Sequence, residues 1–175
     1  MRLLDTSSLT LDEFQGLPPE YAILSHTWLE GEVTLQDLSL DKGHDKAGWR
    51  KILNCCRLCR GAGWKYVWID TCCIDKTSSA ELSEAINSIF AWYQHAAICY
   101  AYLSGVDSIH RREQLRQFAK SRWFTRGWTL QELIAPQYLV FVDDSWSEIG
   151  SGSYLSSTIE NITGISAFNM AHFRG

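Results

Sequence analysis

Three stretches that follow one another decide how this chain folds: Tyr66-Val67-Trp68-Ile69-Asp70, the run from Ser78 to Tyr93, and Ala97-Ile98-Cys99-Tyr100-Ala101-Tyr102-Leu103. The first and third are short continuous apolar runs, the mark of strands buried on both faces. Between them, Ser78 followed three residues later by Glu81 has the spacing of a capping box. Leu82, Ala85, Ile86, Ile89, Phe90 and Tyr93 then recur at helical spacing and predict one apolar helix face. Strand, capped helix and strand in that order make a βαβ unit and call for a parallel sheet.

Working outward, the same alternation continues. Tyr21-Ala22-Ile23-Leu24-Ser25 follows Pro18-Pro19 and reads as a buried strand. Leu29 to Gly48 is polar and contains glycine, so it is expected to be an excursion with little regular structure. Trp49, Ile52, Leu53, Cys56 and Cys59 share a helical face, and Gly61-Ala62-Gly63 ends that helix. Arg111 to Lys120 is charged and predicts a solvated helix. A short helix is expected from Thr129 to Ala135, before Pro136, and Tyr138 to Val142 is a fourth strand. A last helix is expected from Tyr154 to Ile162. A fifth strand would have to lie in the Trp28–Gly48 excursion or near the ends. The fold class is α/β, a mainly parallel sheet flanked by helices with additional loops.

Composition bounds the function. The chain has 175 residues, 46% apolar and 21% charged, which fits one domain spanning residues 1–175. With 16 basic and 20 acidic residues the net charge is −4, too acidic for a surface built to contact nucleic-acid phosphates. No apolar run reaches the roughly 18 residues of a membrane span, and the Met1-Arg2-Leu3-Leu4-Asp5 opening lacks a signal-peptide core. A cytoplasmic protein is expected. The six cysteines include the adjacent pairs Cys55-Cys56 and Cys72-Cys73, poor material for disulfides. Cys56-x-x-Cys59 has no second pair at zinc spacing, so the thiols read as small buried hydrophobes and no metal is expected.

Ligands of parallel sheets bind beyond the carboxyl ends of the strands. Ser25-His26-Thr27-Trp28 and Asp70-Thr71-Cys72-Cys73-Ile74-Asp75-Lys76 leave two strands at such ends and are rich in functional side chains. His44, His95, His110 and His172 have no such context and are expected at the surface. Glu81 and Glu84 are expected on a solvated helix face.

Three blocks resemble the fungal heterokaryon-incompatibility (HET) domain: Tyr21 to Trp28, Val67 to Lys76, and Ser121-Arg122-Trp123-Phe124-Thr125-Arg126-Gly127-Trp128-Thr129-Leu130-Gln131-Glu132-Leu133. The likeness covers about residues 21–142. It implies an effector that triggers cell death when unlike fungal cells fuse, placed at the N-terminus of a larger protein with a nucleotide-binding sensor module. It also implies activation by self-association.

A more distant likeness joins Ile23-Leu24-Ser25-His26 and Trp128-x-Leu130-x-Glu132-Leu133 to the first strand and third-helix motif of Toll/interleukin-1 receptor (TIR) domains. That resemblance implies a flavodoxin-like core and cleavage of NAD⁺ as substrate, without a bound cofactor, and places the catalytic glutamate at Glu132. Arg126 stands where TIR domains often have serine, and the receptor-type proline-glycine loop is replaced by Cys72 to Lys76.

Cleaving the nicotinamide–ribose bond builds oxocarbenium charge, which one carboxylate can stabilise. Trp28 and Trp128 would stack on a base, Asp70 would hold a ribose hydroxyl, and Arg126 or Lys76 would pair with pyrophosphate. His26 and Thr27 complete the expected substrate contacts. Each residue has a plainer role open to it. Glu132 stands three residues after Thr129, as in a capping box. The tryptophans would serve as core aromatics, Asp70 as a turn cap, Arg126 as a surface ion-pair partner, and His26 as a donor to backbone. A Cys72 or Cys73 nucleophile with His26 as base is a further enzyme class. The alternative outside catalysis is a death-signalling adaptor acting through homotypic or partner contacts.

Overall fold

The protein is described by a computed structural model covering residues 1–107 and 110–165. Its strands are β1 (Arg2–Asp5), β2 (Leu11–Glu13), β3 (Ala22–His26), β4 (Tyr66–Ile69), β5 (Ile98–Tyr102), β6 (Leu139–Val142) and β7 (Glu148–Ser151). The helices are α1 (Leu35–Ser39), α2 (Ala47–Gly61), α3 (Ser79–His95), α4 (Arg111–Ala119), α5 (Thr129–Ile134) and α6 (Ser156–Thr163), with a 3₁₀ turn at Arg122–Thr125. Among the described residues the strands form a seven-stranded sheet in the order β2-β1-β4-β3-β5-β6-β7. The fold is α/β, as the sequence implies. The chain forms two compact units, one of Met1–Leu24 and Trp28–Trp92, the other of Ser25–Thr27 and the chain from Tyr93 onward.

In the first unit, β3 and β4 pair in parallel, with Ala22 beside Val67 and Leu24 beside Ile69. All four residues of β4 are buried, as its unbroken apolar run requires. The N-terminal hairpin was legible only as an unplaced end: β1 pairs antiparallel with both β2 and β4. Leu3 and Leu4 are fully buried there, and the Asp5 carboxylate accepts from the Ser7 and Ser8 amides to turn the chain.

Helix α2 buries Ile52, Cys55, Cys56 and Cys59 on one stripe. It starts hard against the preceding loop. A Cβ on Gly48 would sit 2.9 Å from the Glu32 Cα and the Gly31 carbonyl oxygen, so only glycine fits.

Four expectations in this unit need correction. The 29–48 excursion contains the helix α1, closed by a capping box between Thr34 and Asp37. An aspartate at the position usually held by Glu or Gln hid that signal. In α3, Ser78 Oγ accepts from the Glu81 amide at 3.3 Å, which is half of the expected box. The Glu81 carboxylate instead accepts from the Asp75 amide at 2.7 Å and from the Arg2 guanidinium, so it is not simply solvated. Along the predicted apolar face Ala85 is buried, but Leu82 is 37% and Ile86 49% exposed.

In the second unit β5 and β6 pair in parallel, Cys99 beside Leu139 through Tyr102 beside Val142. The additional strand β7 runs antiparallel to β6. Antiparallel strands therefore edge the sheet, which is mixed rather than uniformly parallel. The charged helix α4 lies where expected and buries Phe118. Phe118, Trp123 and Phe141 form an edge-to-face cluster with ring centroids 5.0–5.4 Å apart. Helix α6 begins two residues later than its expected start at Tyr154 and ends on Gly164 in the left-handed conformation.

Candidate functional site: a buried carboxylate and an exposed tryptophan

In the second unit the chemistry gathers on Glu132, which lies on α5 and is 4% exposed. Trp123, fully buried in the 3₁₀ turn, donates its indole N–H to Ser25 Oγ at 2.6 Å. Ser25, near the end of β3, donates its hydroxyl hydrogen bond to Glu132 Oε2 at 2.8 Å. The Arg126 guanidinium meets the same carboxylate in a fork, Nη1 to Oε2 and Nη2 to Oε1, each at 2.8 Å. Tyr93 of α3 approaches Oε1 through its hydroxyl at 3.5 Å, a weak donor at that distance. The bidentate geometry is the strong form of a carboxylate–arginine contact, and burial makes each contact count for more.

The local sequence explains how α5 is held. Thr129 Oγ1 donates to the Trp123 carbonyl rather than capping its own helix, and Trp128 occupies the N-cap with no side-chain cap bond. The capping-box reading of Thr129 and Glu132 is therefore not realised. Cys99 on β5 senses the carboxylate: burial pushes its thiol well up, and the Glu132 charge adds to the effect.

In the first unit a different constellation is partly open to solvent. Trp28 is 51% exposed and donates its indole N–H to Asp70 Oδ2 at 2.8 Å. The Lys76 ammonium sits 3.2 Å from the centre of the same indole ring, a cation–π contact. Burial pushes the Lys76 ammonium down, and the Asp70 charge opposes that shift. The same unit holds a cleft of about 430 Å³ whose lining includes Arg2, Glu13, Trp68, Cys73, Glu81 and Trp92.

The structure thus brings Trp28 to Asp70, and Arg126 to Glu132. His26 is buried at the end of β3, Thr27 is half-buried, and Trp128 is 42% exposed. Neither Trp28 nor Trp128 is a core aromatic. Ser25, Tyr93 and Trp123 were missed as partners of Glu132, although Ser25 and Trp123 stand inside two of the quoted blocks. His44, His95 and His110 are exposed, and His172 lies outside the described residues.

All six cysteines are buried thiols. Hydrogen bonding to Cys73 and burial push the Cys72 thiol well up, and burial with neighbouring thiols pushes Cys56 up to about 12. A Cys72 nucleophile, which needs a lowered value, has no support here. Among the described residues no group of three or more His, Cys, Asp or Glu side chains is placed to hold a metal ion, and no helix is long and apolar enough to cross a membrane.

The family described as heterokaryon incompatibility protein (HET) matches residues 21–120, a stretch running from Tyr21, just before β3, through α4. The chain belongs to the heterokaryon-incompatibility family. It is 45% identical over 177 residues to vegetative incompatibility protein HET-E-1 of Podospora anserina. That alignment covers 94% of this chain and 13% of the relative's length. No solved structure matches this chain.

Proposed function

We propose that this chain is an effector domain of heterokaryon incompatibility that kills by cleaving the nicotinamide–ribose bond of NAD⁺, with Glu132 as the catalytic carboxylate. The observation that carries the reading is a single carboxylate, buried and oriented by Ser25 and Arg126, at the position the TIR resemblance assigns to catalysis. A glutamate placed only for solubility or capping would not be given two strong side-chain donors inside the protein.

The chemistry asks little else of the protein. The C1′–N bond of the nicotinamide riboside breaks and its electron pair passes to the pyridinium nitrogen, which leaves neutral. The positive charge left on the ribose is oxocarbenium-like. A fixed carboxylate in a dry site stabilises that charge without solvent reorganisation. Water then adds at C1′ and loses a proton, giving ADP-ribose. Trp128, partly exposed, would stack on a base. His26 and Thr27 would contact the substrate, and Arg126 the anionic diphosphate. Activity would rise on self-association, driven by a C-terminal nucleotide-binding sensor module in the longer protein.

A second reading is favoured by one observation. Leu82 and Ile86 on α3 are exposed apolar side chains on one helix face, as a recruiting surface of a non-catalytic adaptor would be. Expression of the chain in a fungal host separates the two, with NAD⁺ and viability followed together. The enzyme reading expects both to fall for the wild type and neither for Glu132→Gln. Death at constant NAD⁺ would overturn it in favour of the adaptor.

A further inference from the structure

Both oxygens of Glu132 are already occupied, which a substrate-ready carboxylate should not be. Oε1 is bonded by Arg126 and approached by Tyr93, while Oε2 is bonded by Arg126 and Ser25. The carboxylate side chain is 5% exposed, but that of Arg126 is 19% exposed and is followed by the exposed Gly127 and Trp128. A Cβ on Gly127 would meet no atom within 4 Å, so the backbone just after Arg126 faces open space. The outer partner of the pair is therefore the one able to move.

Its departure has a condition. A buried carboxylate stripped of its guanidinium would keep Ser25 and the distant Tyr93 hydroxyl, too little to hold a bare charge out of water. New donors must arrive as Arg126 leaves, and Arg126 must find another anion. A ligand that carries a diphosphate and a vicinal diol meets both needs at once. Its phosphate oxygens accept the arginine fork, and its two hydroxyls replace the two N–H donors on Glu132.

We propose that the Arg126–Glu132 pair is a latch closed in the resting protein and opened by a ribose-bearing diphosphate, which exchanges partners with both residues. The proposal rests on the same site as the NAD⁺ reading and deepens it, since the latch would make cleavage wait for the whole substrate. It also makes Ser25 and Trp123 positioning residues, holding the carboxylate in place while its guanidinium is away.

The test is binding of inorganic pyrophosphate and ADP-ribose to the purified chain by titration calorimetry. Wild type should bind ADP-ribose about tenfold or more tightly than pyrophosphate, because pyrophosphate brings no hydroxyls for Glu132. Glu132→Gln releases Arg126 from a charge, so its affinity for pyrophosphate should rise by about tenfold. Arg126→Gln should lose affinity for both ligands. A merely structural pair would leave Arg126→Gln with wild-type affinity for both ligands.

Unchanged or weaker pyrophosphate binding by folded Glu132→Gln overturns the latch, as does wild-type affinity in Arg126→Gln. If Glu132→Gln does not fold, the side-chain N–H resonances of Arg126 in the wild type decide. They should shift on adding ADP-ribose, and unmoved resonances would overturn the proposal. Failure of the NAD⁺ reading looks different. A chain that consumes no NAD⁺ while Glu132→Gln gains pyrophosphate affinity keeps the latch and loses the cleavage.

Discussion

Two indoles answer two strand ends in opposite ways. Trp123 is fully buried and gives its N–H to Ser25, the first member of a chain that ends on the Glu132 carboxylate. Trp28 is half in solvent and gives its N–H to Asp70, while Lys76 covers its ring. In the first region every polar group depends on the others, because a buried charge is tolerated only with its partners in place. In the second, water reaches Trp28 and part of its partners, so the same kinds of contact carry less stability. Burial, more than residue type, separates the rigid half of this chemistry from the adaptable half.

The sharpest way to break that comparison is to truncate the two indoles. Trp123→Ala should cost about 3–5 kcal/mol in urea unfolding, through its cavity and the orphaned Ser25, whereas Trp28→Ala should cost under about 1 kcal/mol. Equal losses would mean that Trp28 is packed as firmly as Trp123.

Next in size is the ion pair. Arg126→Gln leaves the Glu132 charge unbalanced and should cost about 3 kcal/mol, with part recovered when Glu132→Gln is added. A double-mutant cycle in which the two changes simply add would show that the pair is not coupled. Smaller again, Lys76→Gln should change stability by about 0.5–1 kcal/mol, the size of an exposed cation–π contact, and thermal melts would detect it.

A further effect is one of pH. Burial alone would raise the Asp37 carboxyl, but the Lys46 ammonium and the Thr34 hydrogen bonds outweigh it and bring it from 3.8 to about 2. A depressed carboxyl stabilises the fold above its unfolded value and loses that contribution as pH falls through the folded one. Melting temperatures should therefore fall between about pH 4 and pH 2, less steeply in Asp37→Asn. A slope unaltered by that change would assign the acid sensitivity elsewhere.

Much of the architecture was legible because it depends on local pattern. The buried runs of β3, β4, β5 and β6 and the helical spacing of α2 and α3 each occupy consecutive residues. β2, α1 and β7 were not: they are as short but carry polar residues in place of a continuous apolar run, and the text around them resembles loop. Periodicity also marked Leu82 and Ile86 as one face of α3 without saying whether anything covers it.

The site was half legible for a related reason. Glu132, Arg126 and Trp128 fall in one block, and Asp70 and Lys76 in another. The donors that set the state of Glu132 come from far along the chain: Ser25 is 107 residues away and Tyr93 is 39. No spacing rule connects them, because the sheet and its helices make that contact. The capping-box spacing of Thr129 and Glu132 pointed the other way, and lost because Thr129 bonds the Trp123 carbonyl.

The most direct measurement is NAD⁺ consumption by the purified chain, clustered by a tether at high concentration. Wild type and Glu132→Gln would be run side by side after circular dichroism shows both folded. The account expects nicotinamide release by the wild type and none by Glu132→Gln. Release at the same rate by both proteins would contradict the assignment of Glu132 as the catalytic carboxylate.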